Sequence, residues 1–186
     1  IEKVRLNKED LNRSKQYVNK RKLEKSRMSM SADDFLTNLQ PVLYIAQLSN
    51  TNTSRASQLV AKTNQFNTTA TRYTKTELEK INKSEHSDVY VLGLEDRFTD
   101  REDIGVAVIH WNEPSKSATI KILLLSCRIL GRGVETGFLA WLCYYAKQQK
   151  IQLLTGSIVE TERNTPVRKL YKIHGFLFDN SKKKWI

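Results

Sequence analysis

The sequence predicts one α/β domain preceded by a basic arm. The chain has 186 residues, of which 39% are hydrophobic, which is enough for a single buried core. Short β-prone runs alternate with segments of helical periodicity. The formal net charge of +11 is concentrated at the two ends of the chain. These observations favour a folded domain that carries its excess charge outside its core.

Residues 1–31 form the predicted arm. They hold ten basic and four acidic side chains, a net charge of +6, and their apolar residues are too sparse for a continuous helical stripe. The chain also begins with Ile rather than Met. We therefore expect residues 1–31 to be a basic helical linker from a missing upstream domain, and residues 32–186 to be the folded domain.

The first half of the domain predicts a helix, a strand and two further helices. Ser31 begins a capping-box pattern for a short helix that Pro41 ends. Residues 42–48 are apolar and β-prone, which predicts the first strand. Ser54 is a candidate cap for the second helix, and Thr74 opens a second capping box.

Three β-prone runs follow, at residues 89–94, 104–111 and 119–125, and polar segments 95–103 and 112–117 separate them. This pattern predicts a strand meander.

The last third of the chain predicts a helix after Gly133 and a strand over residues 153–158. Asn164 is a candidate cap for a helix that Gly175 ends, and a last strand ends near Trp185.

A glycine-containing turn, residues 128–134, lies between the third run of the meander and the long helix. Its pattern is R-x-x-G-x-G, with glycines at 131 and 133. Two glycines so spaced let backbone N–H groups turn inward, and a helix N-terminus adds partial positive charge. The turn can therefore hold a phosphate. An ordinary strand-to-helix turn is the alternative interpretation.

The order of elements extends this interpretation. Four strands, R-x-x-G-x-G, a helix, a strand and the pattern Asn164-x-Pro166-x4-Tyr171-x3-Gly175-Phe176 together resemble the GNAT acyltransferase fold, a mixed, mostly antiparallel sheet flanked by helices. The resemblance implies that CoA or acetyl-CoA binds at the turn, that two strands diverge to admit the pantetheine arm, and that Tyr171 protonates the departing thiolate. The implied cofactor-binding residues are Arg128, Leu130, Gly131, Arg132, Gly133, Val134 and Asn164.

Residues 58–69, 72–73 and 125–135 narrow the resemblance to the C-terminal half of FkbH-like proteins. This implies an upstream HAD-type phosphatase domain and transfer of a glyceryl group from 1,3-bisphosphoglycerate to the phosphopantetheine thiol of an acyl carrier protein. No D-x-D-x-T phosphatase motif occurs in this chain. Residues 99–103 depart from the family pattern, where a glycine-containing turn is expected.

Cys127 and His174 are the remaining candidate catalytic residues, beside Tyr171. Cys127 precedes Arg128, and positive charge favours the thiolate that attacks acyl groups and holds them as thioesters. A buried apolar role is its alternative, and we expect Cys143 to be a core residue. His174 lies three residues beyond Tyr171 on one helical face, where the two could form an acid and base pair. Its alternative role is to cap the helix end.

The loop after the second helix is rich in amides and hydroxyls, which suit a polyhydroxy acyl group. The alternative is a loop whose side chains cap its own backbone. The candidate substrate-binding residues are Asn64, Gln65, Asn67, Thr68 and Arg72.

Charge and composition limit the remaining classes. An acidic carrier protein is the expected partner of the basic side chains near the turn, namely Arg132, Arg163, Arg168, Lys169 and Lys172. The sequence shows no metal-ligand spacing, nucleic-acid pattern, signal peptide or apolar run of membrane length, so we expect a cytoplasmic protein. Two alternatives to the glyceryl transferase stay open: a CoA-dependent N-acetyltransferase and a non-catalytic docking module for the carrier protein.

Overall fold

In the computed structural model, residues 28–186 are described. The predicted linker helix over residues 1–31 lies almost wholly outside the described residues. The described chain divides into two compact units, one comprising residues 28–42 and 94–102, the other residues 43–93 and 103–186. None of the helices in residues 28–186 combines the length and the apolar character that a membrane span needs.

The first unit contains helix α1, Ala32–Leu39, and the tip of a β-hairpin. The Ser31 hydroxyl accepts a hydrogen bond from the Asp34 N–H, so the predicted helix start is confirmed. At the hairpin tip, the Arg97 N–H donates to the Leu39 carbonyl at 3.1 Å. The polar segment 95–103, which was expected to be a loop, instead continues two strands through a tight turn at Arg97 and Phe98.

The second unit contains most of a seven-stranded sheet. The strands are β1, Val42–Gln47; β2, Ser87–Asp96; β3, Thr99–Asn112; β4, Ser117–Leu125; β5, Leu153–Gly156; β6, Phe178–Asp179; and β7, Lys184–Trp185. The order across the sheet is β1-β2-β3-β4-β5-β7-β6. Strands β4 and β5 are parallel, whereas β3–β4, β5–β7 and β6–β7 are antiparallel. The predicted mixed, mostly antiparallel sheet is confirmed. The single last strand that the sequence predicts is instead two short strands, β6 and β7, which form a hairpin.

Helices α2, Thr53–Lys62, and α3, Lys75–Asn82, cover one face of this sheet. Thr74 forms the predicted capping box with Glu77. Ser54 does not cap α2, because the cap position lies two residues earlier, at Asn52, whose side chain makes no capping hydrogen bond. The core on this face is wholly aliphatic: Leu48, Ala56, Leu59, Val60, Leu78, Val89, Val91, Val106, Val108, Ile122 and Leu124.

Helix α4, Val134–Gln148, packs on the opposite face. Tyr90 alternates with Val89 and Val91 along β2 and therefore points to this face. Its ring lies 4.9 Å from that of Trp141 and 5.5 Å from that of Tyr145, both on α4. The Tyr90 hydroxyl and the Trp111 indole N–H donate to the Asp88 carboxylate, which satisfies the polar ends of this aromatic layer.

The chain closes with a short helix α5, Leu170–Ile173, preceded by a 3-10 turn, Thr165–Val167. The continuous helix expected from Asn164 to Gly175 is therefore broken in two.

Candidate active site

The glycine-containing turn joins β4 to α4. It begins in a 3-10 turn, Cys127–Ile129, and continues through Gly131 and Gly133 at φ angles of 78° and 70°. Both angles are left-handed, a region that glycine enters without strain. Gly133 is the N-cap of α4, and no side chain caps this helix. Its first-turn N–H groups therefore have no side-chain cap as acceptor and can donate to an anion instead.

Charged side chains surround this helix start. Arg128 is exposed and Arg132 half-buried, and both precede α4. Glu135 lies in the first turn of α4 and brings a negative charge to the same end. The Glu135 carboxylate therefore offsets part of the positive helix dipole, while the two arginines add to it. Phosphate binding by this backbone and its arginines stays a prediction.

The two cysteines differ in exposure. Cys127 is exposed at the start of the turn, so its thiol can reach a dissolved reactant. Cys143 is half-buried within α4, and burial raises the pKa of its thiol. The exposure of Cys127 speaks against a role as a buried apolar residue and leaves the thioester role as a prediction.

Strands β4 and β5 diverge after Ile120 and Gly156. They pair in register from Ser117 opposite Leu153 to Ile120 opposite Gly156, and their pairing ends there. Beyond that point, residues 66–69, which we name the gap segment, lie between β4 and the chain that continues from β5.

Backbone hydrogen bonds hold the gap segment on both sides. On the β4 side, the Thr68 N–H donates to the Leu123 carbonyl at 3.1 Å, and the Leu125 N–H donates to the Phe66 carbonyl at 3.0 Å. The Thr68 hydroxyl accepts from the Leu123 N–H at 3.0 Å. On the other side, the Val159 N–H donates to the Thr68 carbonyl at 2.8 Å. The strands thus diverge as predicted, but the expectation of an empty gap between them is wrong, because the chain itself fills it.

The side chain of Asn164 holds the gap segment in place through hydrogen bonds. Its side-chain N–H₂ donates to the carbonyls of Asn67 and Val159 at 3.1 and 2.8 Å, and its Oδ1 accepts from the Thr161 N–H at 2.8 Å. The Thr161 hydroxyl accepts from the Asn164 N–H in return. Asn164 is fully buried and does not cap the following turn with its side chain, contrary to expectation. No sequence pattern indicated that Thr161 belongs to this region.

The ring of Tyr171 packs at the end of β5, where β4 and β5 begin to diverge. Its side chain is fully buried, and its hydroxyl has no hydrogen-bond partner among the described residues. The ring lies against Gly156, where an added Cβ would come within 2.8 Å of Tyr171 Cε1. Burial raises the pKa of the Tyr171 phenol. A phenol that stays protonated can donate a proton, and the role of Tyr171 as the catalytic acid stays a prediction.

His174 does not share this environment. Its Nδ1 lies 2.7 Å from the Leu170 carbonyl and its Nε2 lies 2.9 Å from the Thr136 hydroxyl. The carbonyl only accepts, so Nδ1 donates to it. His174 therefore ties the end of α5 to α4, as the capping alternative foresaw, while Tyr171 on the same helix is buried.

The candidate substrate residues separate into two groups. Asn67 and Thr68 are fully buried, and Asn67 Oδ1 accepts from the N–H groups of Thr69 and Ala70, which caps the loop's own backbone. Asn64, Gln65 and Arg72 are exposed.

Arg72 closes the base of this loop. Its guanidinium donates to the Val60 carbonyl, to the Thr63 carbonyl at 2.8 Å and to Asn64 Oδ1. Beside it lies a cleft of about 360 Å³, lined by Thr63, Asn64, Ala70, Arg72, Thr161, Glu162 and Arg163.

The basic residues expected to meet a carrier protein are spread over this region. Arg163, Lys169 and Lys172 are exposed. Arg168 is engaged, because its Nε lies 3.4 Å from the Glu160 carboxylate and its Nη2 donates to the Thr161 carbonyl. No group of three or more potential metal ligands occurs within residues 28–186.

Comparison with solved structures relates this arrangement to known folds. The ribosomal-protein-S18-alanine N-acetyltransferase from Escherichia coli is 16% identical and superposes with a TM-score of 0.56, covering 75% of this chain and 80% of its own. A GNAT-family protein from Desulfovibrio desulfuricans is 14% identical, with a TM-score of 0.58 and coverage of 74% and 87%. The fold is that of the GNAT acetyltransferases.

A third similar structure is Rv2747 from Mycobacterium tuberculosis, determined in complex with CoA and NLQ. It is 16% identical, with a TM-score of 0.54 and coverage of 74% of this chain and 73% of its own. No protein-family model and no curated protein matches the sequence. At these identities the comparison establishes the GNAT fold, and the chemistry has to be argued from this chain's own residues.

Proposed function

We propose that this domain is an acyltransferase that handles acyl groups bound to a pantetheine-type thiol. The observation that carries the proposal is the left-handed glycine turn, which joins β4 to the uncapped start of α4 and begins with the exposed Cys127. The turn supplies an anion site and the cysteine supplies a nucleophile only one residue before Arg128. The GNAT fold supports this assignment.

The finer proposal is an FkbH-type transfer of a glyceryl-type acyl group from 1,3-bisphosphoglycerate to an acyl carrier protein, with an upstream HAD-type domain as its partner. The Cys127 thiolate attacks the carbonyl carbon of the acyl phosphate. A C–S bond forms, the C–O bond to phosphate breaks, and phosphate leaves with the electron pair. Cys127 then releases the acyl group to the carrier thiolate: its C–S bond breaks as the carrier's C–S bond forms, and the Cys127 thiolate is regenerated.

The chain's own residues support this sequence of steps at the mouth of the gap. Arg128, Arg132 and the turn N–H groups would hold the phosphate of a phosphopantetheine arm, whose contribution is the accepting thiol. Arg163, Lys169 and Lys172 would steer an acidic carrier protein. Because Cys127 is exposed, an acyl phosphate can reach its thiol without an empty space between β4 and β5.

Cys127→Ala tests the proposal. The natural full-length protein is incubated with 1,3-bisphosphoglycerate, with and without holo acyl carrier protein, and intact mass is measured. We expect the mass of one acyl group on the wild type and none on Cys127→Ala, with loading of the carrier lost in parallel. Cys143→Ala is the matched control and should load normally, because its thiol is half-buried with a raised pKa. Unchanged loading of Cys127→Ala would refute the covalent role.

A CoA-dependent N-acetyltransferase is the second candidate, favoured by the fold shared with the S18-alanine N-acetyltransferase. It predicts transfer of an acetyl group from acetyl-CoA to an amine without acylation of Cys127. Mass analysis with acetyl-CoA and a panel of peptides that have free amino termini distinguishes the two. Amine acetylation that survives in Cys127→Ala would favour this second candidate.

A further inference from the structure

The gap segment is a piece of extended chain that lies in a space suited to an extended ligand. We propose that residues 66–69 act as a gate, which must leave the gap before the pantetheine arm of CoA or of a carrier protein can pair with β4. This inference rests on the proposed acyl-thiol function, and it adds a competition within the chain for one set of backbone groups.

The competition follows from the hydrogen bonds of β4. The N–H and carbonyl of Leu123 and the N–H of Leu125 face away from β3, and the gap segment uses all three. A strand edge offers one row of donors and acceptors, so it pairs with only one extended chain at a time. A pantetheine arm contains two amides and would require the same row. The segment and the arm therefore exclude one another.

The loop that carries the segment also has an anchor of its own outside the gap. Arg72 ties the Val60 and Thr63 carbonyls and Asn64 at the base of the loop, outside the gap. The base can therefore hold while residues 66–69 depart. Two hydroxyls help to keep the segment in place: Thr68 accepts from the Leu123 N–H, and Thr69 donates to the Lys121 carbonyl at 3.0 Å.

If CoA binds only the open form, its apparent affinity equals the affinity of the open form multiplied by the fraction of molecules that are open. Weakening the segment without touching the glycine turn should therefore tighten CoA binding. Thr68→Val removes the acceptor for the Leu123 N–H at nearly constant volume, and we expect about tenfold tighter binding of CoA. Thr69→Val removes the donor to Lys121 and should act in the same direction with a smaller effect.

Thr119→Val is the matched control. The Thr119 hydroxyl pairs with that of Thr155 at 3.0 Å, within the same sheet but where β4 and β5 still pair. CoA binding is measured by titration calorimetry on all variants, after thermal melting has shown that each is folded. Thr119→Val should bind CoA as the wild type does. Binding by Thr68→Val that is no tighter than by Thr119→Val, or that is undetectable, overturns the gate.

Hydrogen exchange of the wild type supplies a second readout that does not depend on any variant folding. If CoA displaces the segment, the Thr68 N–H loses its bond to Leu123 and exchanges faster in the presence of saturating CoA. A Thr68 N–H whose protection is unchanged or increased by bound CoA overturns the proposal. Neither readout involves acyl loading of Cys127, so a failure of the proposed function remains distinguishable from a failure of the gate.

Discussion

The two regions at the end of β4 differ in whether their polar and reactive groups are exposed or buried. The turn after β4 leaves its reactive groups at the surface: Cys127 is exposed, and two left-handed glycines present backbone N–H groups at an uncapped helix start. The gap beside β4 hides its polar groups, because Asn67, Thr68 and Asn164 are buried and hydrogen-bonded to backbone. Exposure keeps groups available for chemistry, whereas burial commits them to holding the fold.

This difference indicates where substitutions act. A change in the turn should alter reactivity and leave stability nearly unchanged, whereas a change around the gap should alter stability first. The following three variants test the gap side of this comparison, and Cys127→Ala tests the turn side.

Gly156→Ala should have the largest effect. The added Cβ would overlap the ring of Tyr171, which is fully buried and has no room to turn. We expect a loss of about 3 kcal/mol in the free energy of unfolding, measured by urea denaturation. Gly93→Ala is the control in the same sheet, since its Cβ would meet no atom nearer than 3.5 Å. Equal losses in the two variants would contradict the tight packing of Tyr171.

Asn164→Ala should come next. It leaves the Thr161 N–H and the carbonyls of Asn67 and Val159 without this partner in a buried place. We expect a loss of about 2 kcal/mol in the free energy of unfolding, by the same measurement. Asn112→Ala, which removes one acceptor from an exposed turn, should cost only a few tenths of that. If Asn164→Ala lowered the free energy of unfolding no more than Asn112→Ala does, the Asn164 side chain would not be holding the gap segment.

Tyr171→Phe should have the smallest effect. Its hydroxyl has no hydrogen-bond partner among the described residues, so the variant should unfold within about 0.5 kcal/mol of the wild type at neutral pH. Tyr90→Phe, the matched control, loses a bond to the Asp88 carboxylate and should cost about 1.5 kcal/mol.

The pH dependence of Tyr171→Phe sharpens this test. The folded-state pKa of Tyr171 lies above its usual value of 10.0 because of burial. Its contribution to stability is therefore complete below pH 10 and is lost as the pH rises further, since only the unfolded chain releases the proton readily. Tyr171→Phe should lose less stability than the wild type above pH 10. Identical alkaline profiles would contradict the burial of this phenol.

Local patterns predicted most elements of the fold. The N-cap at Ser31, the capping box at Thr74, the strand meander and the long helix after Gly133 all occur as expected, because each depends on neighbouring residues. The expected loop at residues 95–103 is wrong, since a polar segment can continue two paired strands. Asn164 does not cap the chain that follows it, because its side chain bonds to the gap segment and to Thr161. The predicted helix is a 3-10 turn followed by α5.

The candidate site was predictable only in part. Glycine spacing indicated the turn at 131 and 133, because left-handed backbone is a local requirement. The filling of the gap was not foreseen, because residues 66–69 look like a polar loop with one aromatic residue and reach β4 only across more than 50 intervening positions. The sequence signal for this burial was the aromatic Phe66 in an otherwise polar loop, and Phe66 is indeed buried, at 4% exposure.

The sequence by itself determined the starts of α1, α3 and α4 and the left-handed turn at Gly131 and Gly133, since capping and glycine conformation act over a few residues. Only the tertiary structure decided which polar groups remain available. Cys127 stays at the surface while Asn67, Thr68, Asn164 and Tyr171 are buried, because a segment distant in sequence pairs with the edge of β4. A buried polar group must find a partner wherever the fold supplies one, and that partner cannot be read from neighbouring positions.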